Sequence, residues 1–460
     1  MVVCMLSRNV TEKLEAWRVG GKRKALFVMG ARQIGKSFAI REFGRSRYRV
    51  YAEINLLQNA EARRALAQAP DPAEFITRVS LFAGARLIPG ETLIFIDEVQ
   101  EEPDIMTMAK FLVEDGRFDW AFSGSMLGTE LKGIRSYPVG YVHEIVMRPM
   151  CFEEFCWAIN VPSQAMDEVR SACAEERPVP EYLHNAMMKN YRTYLAVGGM
   201  PEVVQRFLDS GGDLAAVREI QSGLNSQYRR DISKYAGNRA LHVQEIFNQM
   251  PLQLEGEKRK FIMASIDENA RYKKYEQDFV WLDRAGVALK TDRVREPKFP
   301  LLGTADKAQF KLYQSDTGML MARYPAALAR AVYLDDKHPN LGAIYENAVA
   351  QELAAQGHDL YYYMTKSRGE VDFVVDGPDF SAIAIEVKSG AYYRSHAALN
   401  NVLDTAGYGV DLGIVLSRGN VERDGKTLYL PSYATFCLPL YLGDSCETRS
   451  FRLEPGTIEF

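Results

Sequence analysis

Apolar and polar positions fall into blocks of two kinds along this chain. Short apolar runs with polar ends recur at 24–30 (KALFVMG), 49–56 (RVYAEINL), 91–97 (ETLIFID) and 118–124 (FDWAFSG). Stretches with helical spacing lie between them, as at 36–43 and 104–115. Strands alternating with helices predict a parallel sheet covered on both faces. The continuous apolar run LIFID fits a strand buried on both sides.

From about 152 to 255 the strand signal fades and helical stretches dominate, as at 151–159, 181–196 and 214–230. Residues 256–300 hold a helix-like run, ARYKKYEQDFVWLDRAG, and a returning chain, VALKTDRVREP. From about 340 a helix at 341–356 precedes strands at 359–364, 370–376, 382–388 and 412–417. The polar, turn-forming DDKHPN at 335–340 reads as a linker. There is no internal repeat and no low-complexity segment.

Length and composition narrow the class. A chain of 460 residues is too long for one ordinary core, so two to four domains are expected. Apolar residues at 47% and charged residues at 25% are the balance of a folded globular protein. A net charge of −4 gives no global pull toward nucleic acid, so any basic surface must be local. The cysteines at 4, 151, 156, 173, 437 and 446 form no Cys-x-x-Cys pair and have no His cluster beside them. That argues against a zinc site or disulfide framework and for a reducing compartment. No stretch reaches roughly 18 apolar residues, so neither signal peptide nor membrane span is expected, and a cytoplasmic location follows.

The chemistry concentrates first at 30–37. Gly30-Ala31-Arg32-Gln33-Ile34-Gly35-Lys36-Ser37 matches the Walker A pattern, after an apolar strand and at the start of a helix continued by Phe38. Glycines let backbone N–H groups turn inward around phosphates, and the helix N-terminus favours anions. Lys36 is expected to reach the β- and γ-phosphates of ATP, and Ser37 to hold Mg²⁺. In TLIFIDEVQ, Asp97 ends a strand where a carboxylate meets the Mg²⁺ shell, and Glu98 follows to orient or deprotonate the attacking water. FSGS at 122–125 offers Ser123 or Ser125 as a γ-phosphate sensor.

With these residues in place, the chain resembles prokaryotic AAA-type ATPases whose C-terminal half is a widely distributed domain of unknown function. The matching pieces run through almost the whole chain: GARQIGKS, TLIFIDEVQ, FSGSMLG, PVGYVHEI, RPMCFEEF, VGGMPEVV, YRRDISKYA, FKLYQSDTGML, GAIYENAVAQEL, GEVDFVV and AIEVKSG. The resemblance implies a helical lid whose Gly199-Met200-Pro201 turn lies near the adenine. Tyr141 stands where the family often has a basic residue after the PVG turn, so an arginine finger would come from Arg135 or Arg148.

Two further constellations follow. Residues 240–300 resemble a winged helix, with Arg271, Lys273 and Lys274 at the start of its recognition helix and the VALKTDRVREPKF chain as its wing. Such cations would contact phosphates and read little sequence, so the DNA preference expected is for structure. The surplus of basic over acidic residues there is only three, from eleven Lys/Arg and eight Asp/Glu in 256–298. In the last 120 residues or so, Glu346 lies on a helix, Asp372 on one strand, and Glu386 and Lys388 on the next. Residues two apart on a strand share a face, so these groups suit a second divalent cation. Their order resembles the restriction-endonuclease-like nuclease core.

The fold class expected is α/β. A P-loop ATPase core (1–151) and helical lid (152–238) precede a winged-helix-like domain (239–334) and a restriction-endonuclease-like domain (335–460). Three functions remain open: a Mg²⁺-dependent ATPase switch or motor acting on DNA, a metal-dependent nuclease regulated by ATP, and an ATP-gated protein-interaction module. Homo-oligomers are compatible with all three.

Overall fold

The four N-terminal apolar runs are strands in the computed structural model of the chain, which describes residues 6–20, 24–125, 138–256, 259–268, 270–336 and 340–443. They are β1 (Ala25–Gly30), β2 (Val50–Asn55), β3 (Thr92–Asp97) and β4 (Asp119–Ser125), and β5 (Val142–Val146) joins them. The order is β2-β3-β4-β1-β5, with parallel pairings throughout. Every residue of β1 and β3 is buried. Alternation divides them between two cores: Leu26, Val28, Leu93 and Phe95 face one, and Phe27, Met29, Ile94 and Ile96 the other. Helices α1 (Val10–Val19) and α2 (Lys36–Arg47) cover the first face with Leu14, Trp17, Ile40 and Phe43. Helices α3 (Ala60–Ala67), α4 (Pro72–Ala83) and α5 (Ile105–Asp115) cover the second with Leu66, Phe75 and Leu112. Strand β5 has no apolar signature because it is an edge: of its residues only Ile145 is fully buried.

Helices then take over, as the periodicity predicts: α6 (Phe152–Ala158), α7 (Ser163–Ala174), α8 (Glu181–Val197), α9 (Pro201–Asp209), α10 (Leu214–Tyr235) and α11 (Ala240–Glu255). Their apolar faces share one core with the first face of the sheet, through Met150, Phe152, Tyr194, Ile232 and Phe247. That core runs unbroken across the borders expected at 151/152 and 238/239.

After α12 (Tyr272–Arg284) come β6 (Ala288–Val294), β7 (Ala305–Gln314), α13 (Thr317–Met321), α14 (Ala326–Leu334) and α15 (Gly342–Ala355). The chain continues through β8 (Tyr361–Thr365), β9 (Gly369–Asp376), β10 (Ala382–Val387), α16 (Ala397–Leu403), β11 (Val410–Ser417), β12 (Glu422–Asp424) and β13 (Thr427–Pro431). These eight strands form one mixed sheet of order β12-β13-β11-β10-β9-β8-β6-β7. The sheet crosses the border expected at 334/335, because Asp292–Val294 of β6 pair in parallel with Tyr361–Tyr363 of β8. The segment expected as a wing is strand β6, bonded on one side to β7 and on the other to β8. Pairing with β8 satisfies backbone groups that a free edge would leave to solvent. No helix among the described residues is long and apolar enough to cross a membrane.

Candidate functional site

The loop between β1 and α2 has the backbone its glycines permit. Gly30 and Gly35 have φ of 153° and 91°. A β-carbon on Gly30 would stand 2.4 Å from the Met147 carbonyl oxygen, so only glycine fits there. Lys36 opens α2, and its Nζ folds back to donate to the carbonyls of Gly30 (3.0 Å) and Ala31 (2.7 Å). Burial lowers its ammonium to about 8, against the raising effect of Glu98 and Asp97. A phosphate brought to this amine would offset the cost of burial and favour its charged form. Ala31 and Ile34 are buried within the loop, whereas Phe38 is 41% exposed.

Asp97, at the end of β3, is the hub of the acidic side. It accepts from Ser37 Oγ (3.0 and 2.9 Å), from Asn55 Nδ2 (2.8 Å) and from Ser123 Oγ. The oxygens of Ser37 and Asp97 together suit a hard divalent cation such as Mg²⁺. Glu98 follows in a left-handed conformation, φ 60°, and accepts from Gln100 Nε2. Ser125 ends β4 beside Gly30 in the ladder.

Of the two arginines considered as fingers, Arg135 lies outside the described residues. Arg148 lines a cavity of about 790 Å³ shared with α1 and the loop after α15, and no P-loop residue lines it. The lid turn divides its residues. Pro201 opens α9 beside the P-loop, with its Cγ 3.8 Å from where a β-carbon on Gly35 would stand. Gly199 instead bonds Met150, whose N–H donates to the Gly199 carbonyl at 2.7 Å.

The C-terminal constellation is drawn together by strand pairing and by two cations. Ile385 pairs with Phe373 in the antiparallel β9–β10 ladder, so Asp372 and Glu386 are cross-strand neighbours. Asp372 accepts from the Val387 N–H (2.8 Å), and Lys388 pairs with Glu386 (2.8 Å). Glu346 of α15 is fully buried and bonded to Lys311, Tyr313 and Arg259. Lys311 also reaches Glu370 (2.7 Å) and Asp372 (3.8 Å). In the structure the Glu346 carboxylate is thus paired with two cations. Among the described residues no three His, Cys, Asp or Glu side chains are arranged to hold a metal ion. Glu386 keeps one buried oxygen without a partner, and burial, helped by Asp372, pushes its carboxyl up to about 7. Glu386 and Asp372 line a cavity of about 900 Å³ with Arg259, Lys260, Arg293 and Lys366. Arg271, Lys273 and Lys274 are exposed at the start of α12.

Family models match three segments. Residues 22–156 match an AAA domain. The N-terminal third is a P-loop ATPase domain of the AAA type. Residues 188–328 and 341–433 each match a domain of unknown function, DUF8612 and DUF4143 respectively. No curated protein matches the chain. Among solved structures, the Walker-type ATPase PABY2304 of Pyrococcus abyssi is 12% identical, with 69% of this chain and 96% of that one covered and a TM-score of 0.43. The Aeropyrum pernix Orc1 protein in complex with DNA is 12% identical, with 72% and 91% covered and a TM-score of 0.27. The Thermotoga maritima RuvB Holliday junction branch migration motor is 11% identical, with 66% and 92% covered and a TM-score of 0.27.

Several residues around the AAA domain escaped sequence reasoning. Arg8 bonds the Ile34 carbonyl of the P-loop (2.7 Å), the Arg148 carbonyl (2.7 Å) and Glu154 (3.0 Å). Arg32 of the loop bonds Asp231 (2.9 Å) and the Tyr235 hydroxyl (2.8 Å), both on α10. Asp231 and Tyr235 lie inside YRRDISKYA, and a single Asp among Arg229, Arg230 and Lys234 was the available signal. Lys311 and Arg259 had none, because their acidic partners come from strands and helices far along the chain.

Proposed function

We propose that the chain is a Mg²⁺-dependent ATPase, a switch or motor whose helical lid and C-terminal sheet carry its output to DNA. The observation that carries the reading is the convergence of Lys36, Ser37, Asp97 and Ser123 around one glycine-walled loop. Lys36 and the loop N–H groups bind the β- and γ-phosphates. Ser37 and Asp97 hold Mg²⁺, which neutralises phosphate charge when bound. Glu98 orients the attacking water and takes its proton. Ser123, through its bond to Asp97, holds that carboxylate in place. Pro201 lies on the adenine side of the loop.

The DNA part rests on local positive charge in a chain of net negative charge: Arg271, Lys273 and Lys274 on α12, and Lys260, Arg293 and Lys366 around the C-terminal cavity. Contacts of this kind go to the phosphate backbone, so they favour a DNA shape over a sequence. Steady-state ATP hydrolysis with and without single-stranded, duplex and branched DNA tests the reading. It predicts stimulation by at least one DNA form. Equal turnover in all samples favours an ATP-gated interaction protein.

A second reading, a nuclease regulated by ATP, is favoured by one observation: Asp372, Glu386 and Lys388 adjoin one another at a cavity with a basic rim. Against it, Lys311 and Arg259 already sit among the acids. Incubation of linear, forked and four-way DNA with Mg²⁺ or Mn²⁺, beside Asp372→Ala, separates the two. Cleavage lost in the variant supports the nuclease, and intact DNA throughout removes it.

A further inference from the structure

The AAA domain contains a second cation on the phosphate loop that none of the roles above uses. Arg32 stands two residues after Gly30, within the segment that wraps the phosphates. Its guanidinium is mostly buried and is gripped by α10: Nη1 bonds Asp231 at 2.9 Å, Nη2 bonds the Tyr235 hydroxyl at 2.8 Å, and Cζ lies 5.2 Å from the Tyr235 ring centre. The Tyr228 hydroxyl donates to the Arg32 carbonyl at 3.4 Å.

The same end of α10 also holds the turn that carries Glu98. The Tyr235 hydroxyl bonds Glu101 at 3.1 Å, and Lys234 lies 3.7 Å from the same carboxylate. Tyr235 therefore links Arg32, four residues before Lys36 on the loop, to Glu101, three residues after Glu98. The Asp231 carboxyl, raised by burial and lowered by Arg32, also feels the Glu98 charge. The ATPase reading puts the γ-phosphate and its attacking water between Lys36 and Glu98, next to this network.

The ion pair is also incomplete. Arg32 Nε and Asp231 Oδ2 are both buried and both lack a hydrogen-bond partner. A purely structural pair in such a place would close both ends, because an unmade buried hydrogen bond is costly. An open donor and an open acceptor on one ion pair match an anionic phosphate oxygen and a water molecule.

Resting on the ATPase reading, we infer that Arg32 is a further catalytic residue, an arginine finger supplied in cis by the P-loop itself, and that Asp231 and Tyr235 of α10 are its positioning residues. Arg32 makes and breaks no covalent bond. The water oxygen bonds the γ-phosphorus as the bridging P–O bond breaks, the electron pair leaves on ADP, and the water proton passes to Glu98. The guanidinium stabilises the charge on the transferring phosphoryl group. Because its aim is set by α10, turnover depends on where that helix stands, and α10 is itself tied to α13 through the Asn225 amide on the Met319 carbonyl (3.0 Å).

The test is steady-state ATP hydrolysis by the full chain, with nucleotide affinity measured separately using a fluorescent ATP analogue. Arg32→Ala should lose on the order of 100-fold in kcat, with KM and analogue affinity within about threefold of wild type. Arg32→Lys should recover part of the loss, since it restores charge without the fork. Asp231→Asn and Tyr235→Phe should each lower kcat roughly tenfold at unchanged KM. They carry the same test if Arg32→Ala fails to fold. Wild-type kcat in Arg32→Ala, beside an inactive Lys36→Ala, overturns the inference and leaves the ATPase reading standing. Lost analogue binding in a folded Arg32→Ala also overturns it, because the residue would then serve ground-state binding. A wild-type protein without ATP hydrolysis removes the ATPase reading and this inference together.

Discussion

Gly199 and Asp316, 117 positions apart, are joined by a hydrogen bond from the Gly199 N–H to Oδ2 of Asp316. Gln351 of α15 adds a bond to the same carboxylate and another to the Met150 carbonyl (3.2 Å). The lid turn, the end of the AAA domain and the C-terminal half thus meet in one buried polar joint. The backbones there are too close for side chains. A β-carbon on Gly199 would stand 2.0 Å from the Met150 oxygen, and one on Gly318 would stand 2.1 Å from the Val197 oxygen.

Gly199→Ala is therefore expected to destabilise the protein by roughly 2–4 kcal/mol, since the clash is with backbone that cannot rotate away. Urea unfolding measures this, and an unchanged midpoint would show that the joint yields.

The same joint carries a pH dependence. Glu352 of α15 accepts from the Phe152 N–H, and burial pushes its carboxyl from 4.5 up to about 8, with Glu154 and Glu153 adding to the rise. The folded chain keeps this proton where the unfolded chain has lost it. The contribution is full below about 4.5 and falls away as pH rises toward about 8. Glu352→Gln keeps an acceptor and removes the titration. It should gain roughly 1–3 kcal/mol over wild type on going from pH 5 to pH 8. Parallel unfolding curves for the two proteins across that range would contradict the assignment.

Glu98→Gln should bind ATP and fail to turn it over, with kcat lowered roughly 100-fold or more. The motivation is its place directly after Asp97, at the head of the turn held by α10. Turnover at the wild-type rate would put the base elsewhere.

Charge reversal at Arg271, Lys273 and Lys274 together should weaken DNA binding alike for every sequence and lower its salt dependence. Fluorescence anisotropy at several salt concentrations reads both. Unchanged affinity and slope would remove α12 from the DNA surface.

The N-terminal sheet was legible because its strands are buried on both faces and its loop chemistry is local. Gly30 to Ser37 lie within one turn and its helix start, so spacing alone implies proximity. Strand β5 was not legible, because an edge with His143 and Glu144 exposed has no apolar rhythm. The joining of β6 to β8 was not legible either. Sequence marks a hairpin readily, but the parallel pairing of Val294 with Tyr363 depends on how distant segments pack. The C-terminal acids could be read from strand periodicity, whereas their neutralisation by Lys311 and Arg259 could not, since no spacing rule links a cation to an acid dozens of positions away. Arg32 was visible as a loop residue, but its grip by Asp231 across 199 positions was not.

The central claim is that the AAA domain hydrolyses ATP through the Lys36 loop. Steady-state phosphate release from Mg·ATP by wild-type protein and Lys36→Ala, at equal concentration and with folding checked by thermal unfolding, tests it most directly. The account predicts turnover in the wild type and a loss of at least about 100-fold in Lys36→Ala, because no other group would neutralise the β- and γ-phosphates. Equal rates in the two proteins, or no release by either, would contradict it.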